Sequence, residues 1–195
     1  MPTVLVLPPS APRANTPKWL VKFATAVLDL IGWKMVGEWP DLKKAVVIGA
    51  PHSSAWDGII GLFAKVAMDL HVVFMGKQEA FFWPLGPLLK WLGGVPVNRK
   101  APGGIAEQVA KQLIEAEQMW FVLAPEGTRK AVTHWKTGFW KIAKQANLPV
   151  VCLYFDYPSK TIGIGKVFEL TDDMDADIAT IRAWYKPYQG LHRGV

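Results

Sequence analysis

The stretch Gly49-Ala-Pro-His-Ser-Ser-Ala-Trp-Asp-Gly58 brings a histidine, two serines and an aspartate close together. It follows an apolar run, Ala45–Ile48, and precedes an apolar, helix-like segment from about Asp57 to Met68. Open α/β sheets bind ligands in loops at the C-terminal ends of such buried strands. If Asp57 folds back onto the His52 ring, its carboxylate selects one tautomer. The other ring nitrogen is then free to take a proton from a hydroxyl. The simpler alternative makes Asp57 the cap of the next helix and His52 an ordinary loop residue. Taken alone, the spacing leaves both open. Ser53 and Ser54 lie outside the G-x-S-x-G pattern of a strained nucleophile turn. No two histidines fall at metal-ligand spacing and there is no cysteine cluster, so no metal is expected. Cys152 sits inside an apolar run, where a thiol is ordinarily inert packing.

Two further constellations follow apolar, strand-like runs. In Pro125-Glu-Gly-Thr-Arg129, Gly127 permits close approach of the backbone and Arg129 offers a planar fork suited to phosphate. Glu126 could orient a neighbouring base or cation; alternatively it pairs locally with Arg129 in an exposed turn. Gly93-Gly-Val-Pro-Val-Asn-Arg99 ends on an arginine that, by itself, reads as a surface residue.

The elements that must carry these loops alternate. Strands are expected at 33–39, 44–50, 71–75, 94–99, 119–124 and 149–155, with an edge strand at 161–170. Helices are expected at about 57–68, 103–118, 137–147 and 175–188, with a short one inside the irregular apolar segment Phe81–Gly94. This predicts one α/β domain, a mixed and mostly parallel sheet flanked by helices. Near the start, Thr16 reads as an N-cap and Pro17 as the first helical position. Leu20, Phe23, Ala24, Val27, Leu28 and Ile31 recur at helical spacing, opposite Lys18, Lys22, Thr25 and Asp29. Such a helix either packs on the domain core or lies in a membrane interface.

Composition narrows the partners. Apolar residues make up 51% of the 195, which excludes disorder, and ten are tryptophans, suited to cores and to membrane interfaces alike. The net charge of +6 favours an anionic partner. The basic residues are dispersed and no recognition module is present, so nucleic acid is not expected. A single cysteine excludes an internal disulfide and suits a reducing compartment. The most apolar patch, Ala80–Leu89, is broken by Pro84, Gly86 and Pro87 and is far short of the roughly 20 residues of a span. The opening residues lack the basic start of a secretory signal. A cytoplasmic chain at a membrane surface is expected.

Taken in order, "HSSAWD", "GGVPVNR", "PEGTR" and "LPVVCLYF" resemble the motif blocks of the glycerolipid acyltransferases, the 1-acylglycerol-3-phosphate (lysophosphatidate) acyltransferases among them. The resemblance runs from about Gly37 to Phe155. It implies that His52 is the general base and Asp57 its orienting partner, and that a lysophospholipid hydroxyl attacks an acyl-CoA or acyl carrier protein thioester directly. Those thioesters are co-substrates, and no cofactor is implied. Arg99, Glu126, Gly127, Thr128 and Arg129 match the acceptor-binding blocks, Leu148 and Pro149 match the fourth, structural block, and Lys77 is a further phosphate candidate. Asn98 stands where many members carry an acidic residue, which leaves the acceptor open. The expected organisation is a tail at 1–15, an amphipathic interfacial helix at 16–36 and an acyltransferase domain at 37–195. Peripheral or monotopic attachment to the cytoplasmic face of a membrane goes with it, and Phe81–Trp91 would be a second membrane contact or the mouth of an acyl tunnel. A thioesterase using the same dyad on water, and a non-catalytic lipid-binding protein, are the rival readings.

Overall fold

The computed structural model describes residues 5–77, 79, 81–97 and 104–195. Within them, seven strands form one sheet: β1 (Lys34–Val36), β2 (Lys44–Ala50), β3 (Val73–Lys77), β4 (Gly94–Val97), β5 (Met119–Leu123), β6 (Val150–Asp156) and β7 (Thr161–Phe168). The helices are α1 (Lys18–Leu30), α2 (Ala55–Ala67), α3 (Leu85–Trp91), α4 (Gly104–Glu115), α5 (Gly138–Ala146) and α6 (Met174–Tyr185). The strand order is β1-β7-β6-β2-β5-β3-β4. Strands β6, β2, β5, β3 and β4 are mutually parallel, β7 runs antiparallel to β6, and β1 runs parallel to β7.

Strand β2 lies between β6 and β5 and is buried on both faces, which accounts for its unbroken apolar run. Its alternate residues feed two cores. Ala45 and Val47 join Ala24 and Leu28 of α1 and Ile60 and Ala64 of α2. Val46 and Ile48 join Leu113 of α4, Phe139 and Ile142 of α5, and Ile181 and Tyr185 of α6. The molecule is therefore a three-layer α/β domain, as the alternating pattern predicts. Trp33, Trp39, Trp120 and Trp135 are buried, whereas Trp19, Trp56, Trp83 and Trp91 stay exposed.

Several boundaries differ from the sequence expectation. The Thr161–Phe168 strand is not an edge, because β1 pairs on its outer side. The strand expected over 33–39 ends at Val36; beyond it the chain leaves the sheet and buries Trp39 against Trp120, ring centroids 4.8 Å apart. Helix α1 begins one residue later than the Thr16 cap implies. Pro17 is the N-cap, and the Thr16 amide donates instead to Asp69 Oδ1 at 2.7 Å. The segment assigned to an interfacial helix, 16–36, thus contains a shorter helix and a strand of the sheet. Residues 5–15, set apart as a tail, are packed: Leu7 and Ala11 are buried, and the His71 amide donates to the Pro12 carbonyl at 2.9 Å.

Candidate active site

The parallel strands bring their C-terminal ends to one edge. His52 follows β2, the Glu126–Arg129 block follows β5, and Lys77 ends β3 beside Val97 of β4. Blocks far apart in sequence are therefore side by side, because β2, β5, β3 and β4 are consecutive in the sheet. Arg99, with Asn98, lies outside the described residues, as does the side chain of Lys77.

Asp57 is almost fully buried, at 1% exposure, and serves both the helix start and His52. As the third residue of α2 it closes a capping box with Ser54: its Oδ2 accepts the amides of Ser53 (2.8 Å) and Ser54 (2.9 Å). The same Oδ2 lies 3.1 Å from His52 Nδ1, and Oδ1 accepts the Tyr157 hydroxyl at 2.5 Å. One carboxylate thus both meets the His52 ring and closes the helix start, as the third residue of a helix that begins at Ala55 with Ser54 as its N-cap, not as the cap itself. Burial pushes this carboxyl up, but the bonds from His52, Tyr157 and the Ser54 amide, with the attraction of His52, outweigh it and hold it below the ordinary aspartate value. An ionised acceptor requires the proton on Nδ1, so Nε2 presents a lone pair. It has no partner among the described residues, and the ring stays 29% exposed. Burial, reinforced by Asp57, pushes the Tyr157 phenol upward, so it remains a donor. Tyr157 was not visible from the sequence as a site residue; it lies a hundred positions from Asp57 and belongs to no motif.

The serines take structural parts. Ser54 Oγ accepts the Trp56 amide at 3.2 Å, and Ser53 Oγ accepts the His192 amide at 3.2 Å. Cys152 is enclosed, and burial pushes its thiol up to about 12.

In the second block, Gly127 has φ +66°, and a Cβ there would stand 3.0 Å from Lys136 Cγ, so the turn demands glycine. Thr128 Oγ1 accepts the Lys130 amide at 3.3 Å. Glu126 does not pair with Arg129. Its carboxylate is fully buried, accepts the His52 amide at 3.1 and 3.3 Å, and forms an ion pair of 2.7 Å with Arg193. Arg129 is exposed and makes no side-chain hydrogen bond or ion pair among the described residues, which leaves its guanidinium for an anion.

A cavity of about 360 Å³ opens at His52 and Asp57. It runs along the face of α2 that carries Gly58, Gly61, Lys65 and Met68, with Leu153 and Phe155 of β6 opposite. Lys65 is 6% exposed, and its ammonium makes no hydrogen bond or ion pair among the described residues. Burial pushes its ammonium down, with Asp69 opposing. From Asp57 to Lys65 is eight residues of helix, about 12 Å. None of Phe81–Trp91 lines this cavity. Phe82, Trp83, Leu88 and Trp91 are instead exposed, Trp83 by 84%. Helix α1 buries Ala24 and Leu28 and leaves a second stripe, Trp19, Phe23, Ala26 and Leu30, in the open. No described helix is long and apolar enough to cross a membrane.

Comparison with known proteins agrees with this geometry. The acyltransferase family model matches residues 34–156, more than half of the chain. Among solved structures, that of the 1-acyl-sn-glycerophosphate (LPA) acyltransferase PlsC from Thermotoga maritima is similar, with a TM-score of 0.58 and 15% identity. The match covers 84% of this chain and 77% of that one, and at such identity it is a likeness of fold. No curated protein matches the sequence. The histidine–aspartate loop, the Glu126–Arg129 block and the sheet edge that unites them thus all fall within the matched region, and the chain belongs to the acyltransferase family and is an acyltransferase.

Proposed function

We propose that the chain moves a fatty acyl group from acyl-CoA or acyl carrier protein to the free hydroxyl of a lysophospholipid such as lysophosphatidate. The carrying observation is the His52 Nδ1–Asp57 Oδ2 contact of 3.1 Å at the mouth of an apolar cavity. His52 Nε2 takes the acceptor hydroxyl proton as the oxygen attacks the thioester carbonyl carbon. The tetrahedral adduct collapses, the carbon–sulfur bond breaks, and the leaving thiolate takes the proton back from the imidazolium. Asp57 holds the tautomer and stabilises the imidazolium. No acyl-enzyme forms; neither serine nor the enclosed Cys152 takes part.

The acyl chain enters the cavity along α2, and Arg129 meets the acceptor's phosphate; Lys77 and Arg99 are the further phosphate candidates of the motif blocks. The exposed Trp19, Phe23 and Leu30, with Phe82, Trp83 and Trp91, rest in the interface of the cytoplasmic leaflet, where aromatic side chains and a net positive chain are favoured. The enzyme is peripheral or monotopic, and the acceptor reaches it from the bilayer.

The test is transfer of labelled acyl groups from acyl-CoA and acyl carrier protein to a panel of lysophospholipids, with free fatty acid measured alongside. Acylated lipid that depends on acceptor is expected, and His52→Ala reduces it by about 10²–10⁴-fold while the fold persists. Free fatty acid as the main product would replace this reading with a hydrolase, and an undiminished His52→Ala would remove the base.

A further inference from the structure

We propose that Arg193 is a positioning residue that, through Glu126, clamps the main chain of His52. This inference rests on the reading of His52 as the base. Glu126 takes the N–H of His52, at 3.1 and 3.3 Å, and Arg193 Nη2 donates to the carbonyl of the same residue at 3.3 Å. Glu126 and Arg193 are themselves joined at 2.7 Å. One ion pair therefore holds both peptide groups of residue 52, and the direction of its side chain follows from them. Arg193 Nη2 also donates to the Lys130 carbonyl at 2.8 Å, tying the loop after β2 to the loop after β5.

The segment that carries Arg193 is fitted to this task. Gly190 lies so close to the active-site loop that a Cβ there would stand 2.5 Å from Ser53 Oγ. The His192 amide donates to that same Oγ, and the Gly190 amide to the Arg193 carbonyl at 2.9 Å. At its near end, the Gln189 carbonyl accepts the amide of Tyr157, the residue whose hydroxyl holds Asp57. Residues 189–193 thus touch the supports of both His52 and Asp57.

The buried Glu126 carboxylate needs a counter-ion. Arg129 is close in sequence, but it is Arg193 that supplies the charge, so Arg129 stays available to an anionic ligand. Arg193 Nη2 meets Glu126 and both carbonyls while Nη1 donates to the Gly194 carbonyl at 3.0 Å, so a lysine at 193 could neutralise Glu126 but has one nitrogen where arginine uses two.

The experiment compares wild type, Arg193→Met and Arg193→Lys in kcat, KM for the acceptor, pH–rate profile and thermal midpoint. Arg193→Met is expected to lower kcat by about 10–100-fold with acceptor KM changed less than about threefold, because the lost interaction orients the base rather than binding the acceptor. Its acid limb moves to higher pH, since the unmatched Glu126 carboxylate favours the protonated imidazole. Arg193→Lys recovers part of kcat and returns the acid limb toward wild type. A folded Arg193→Met with wild-type kcat and pH profile overturns the proposal. If Arg193→Met does not fold, Arg193→Lys with full kcat does the same. If wild type transfers no acyl group to any acceptor, the functional reading fails. The clamp is then read from NMR titration of the His52 ring, where an unshifted midpoint in Arg193→Met overturns it.

Discussion

Tyr157 donates its hydroxyl to Asp57 Oδ1 at 2.5 Å, on the opposite side of the carboxylate from the oxygen that holds His52. The Tyr157 ring is set by Trp33, edge on, with centroids 5.0 Å apart. The aspartate that touches the His52 ring is thus itself held by the residue that follows the C-terminal end of β6.

Tyr157→Phe keeps the ring and removes the bond. Stability is expected to fall by about 1–2 kcal/mol at pH 7, and kcat by about threefold to tenfold. The pH dependence follows from Asp57, whose carboxyl is held below its ordinary value. Such a group adds stability that is complete above the unfolded value, about 3.9, and is lost as pH falls through the lower folded value. The wild-type advantage over Tyr157→Phe therefore narrows as pH drops below about 4. Urea unfolding at pH 7, 5 and 3 measures it; a gap independent of pH would place the effect elsewhere.

Gly61→Leu tests the cavity. Gly61 lies one turn beyond Asp57 on α2, and a Cβ there meets only Phe155 Cζ, at 3.5 Å. The backbone accepts the change, and the helix gains about 0.5–1 kcal/mol from losing glycine. The added side chain fills the path between His52 and Lys65. Transfer from long-chain donors is expected to fall at least tenfold relative to short-chain donors, read as kcat/KM across a chain-length series. An unchanged preference means the acyl chain lies outside this cavity.

Arg129→Ala should leave stability within about 0.5 kcal/mol, because the side chain is exposed and unpaired among the described residues. The acceptor KM is expected to rise about tenfold or more with kcat little changed, and the effect should shrink with acceptors lacking a phosphate monoester. Equal losses for every acceptor would assign Arg129 to something other than phosphate.

Trp19→Glu with Leu30→Glu tests the exposed stripe of α1. Both side chains are open to solvent, so the thermal midpoint should stay close to wild type. Sedimentation with vesicles containing anionic phospholipid is expected to drop severalfold. Undiminished sedimentation would move the membrane contact to Phe82, Trp83 and Trp91.

Helix and strand identities were legible wherever the pattern is local. The apolar run of β2 is written in adjacent residues and the structure realises it, whereas the helix expected from about Asp57 starts at Ala55, with Ser54 and not Asp57 as its N-cap. The outer sheet was less legible. That β7 is covered by β1 depends on a pairing between residues more than a hundred positions apart, which no window of sequence displays. Helix α1 shows the same limit, since its apolar periodicity could not say which arc the domain would take and which it would leave exposed.

The active site divides in the same way. His52, Asp57 and the Glu126–Arg129 block are found from spacing and motif order, because a capped helix start and a tight turn restrict residue types over four or five positions. How they are joined depends on the packing of distant segments: Arg193 rather than Arg129 on Glu126, Tyr157 on Asp57, and the cavity under α2 leading away from both. Those partners are 67 and 100 residues apart. They meet because the order of the strands, set by burial of β2 between β5 and β6, brings their loops to one edge, and a fully buried carboxylate takes the counter-ion that this packing presents.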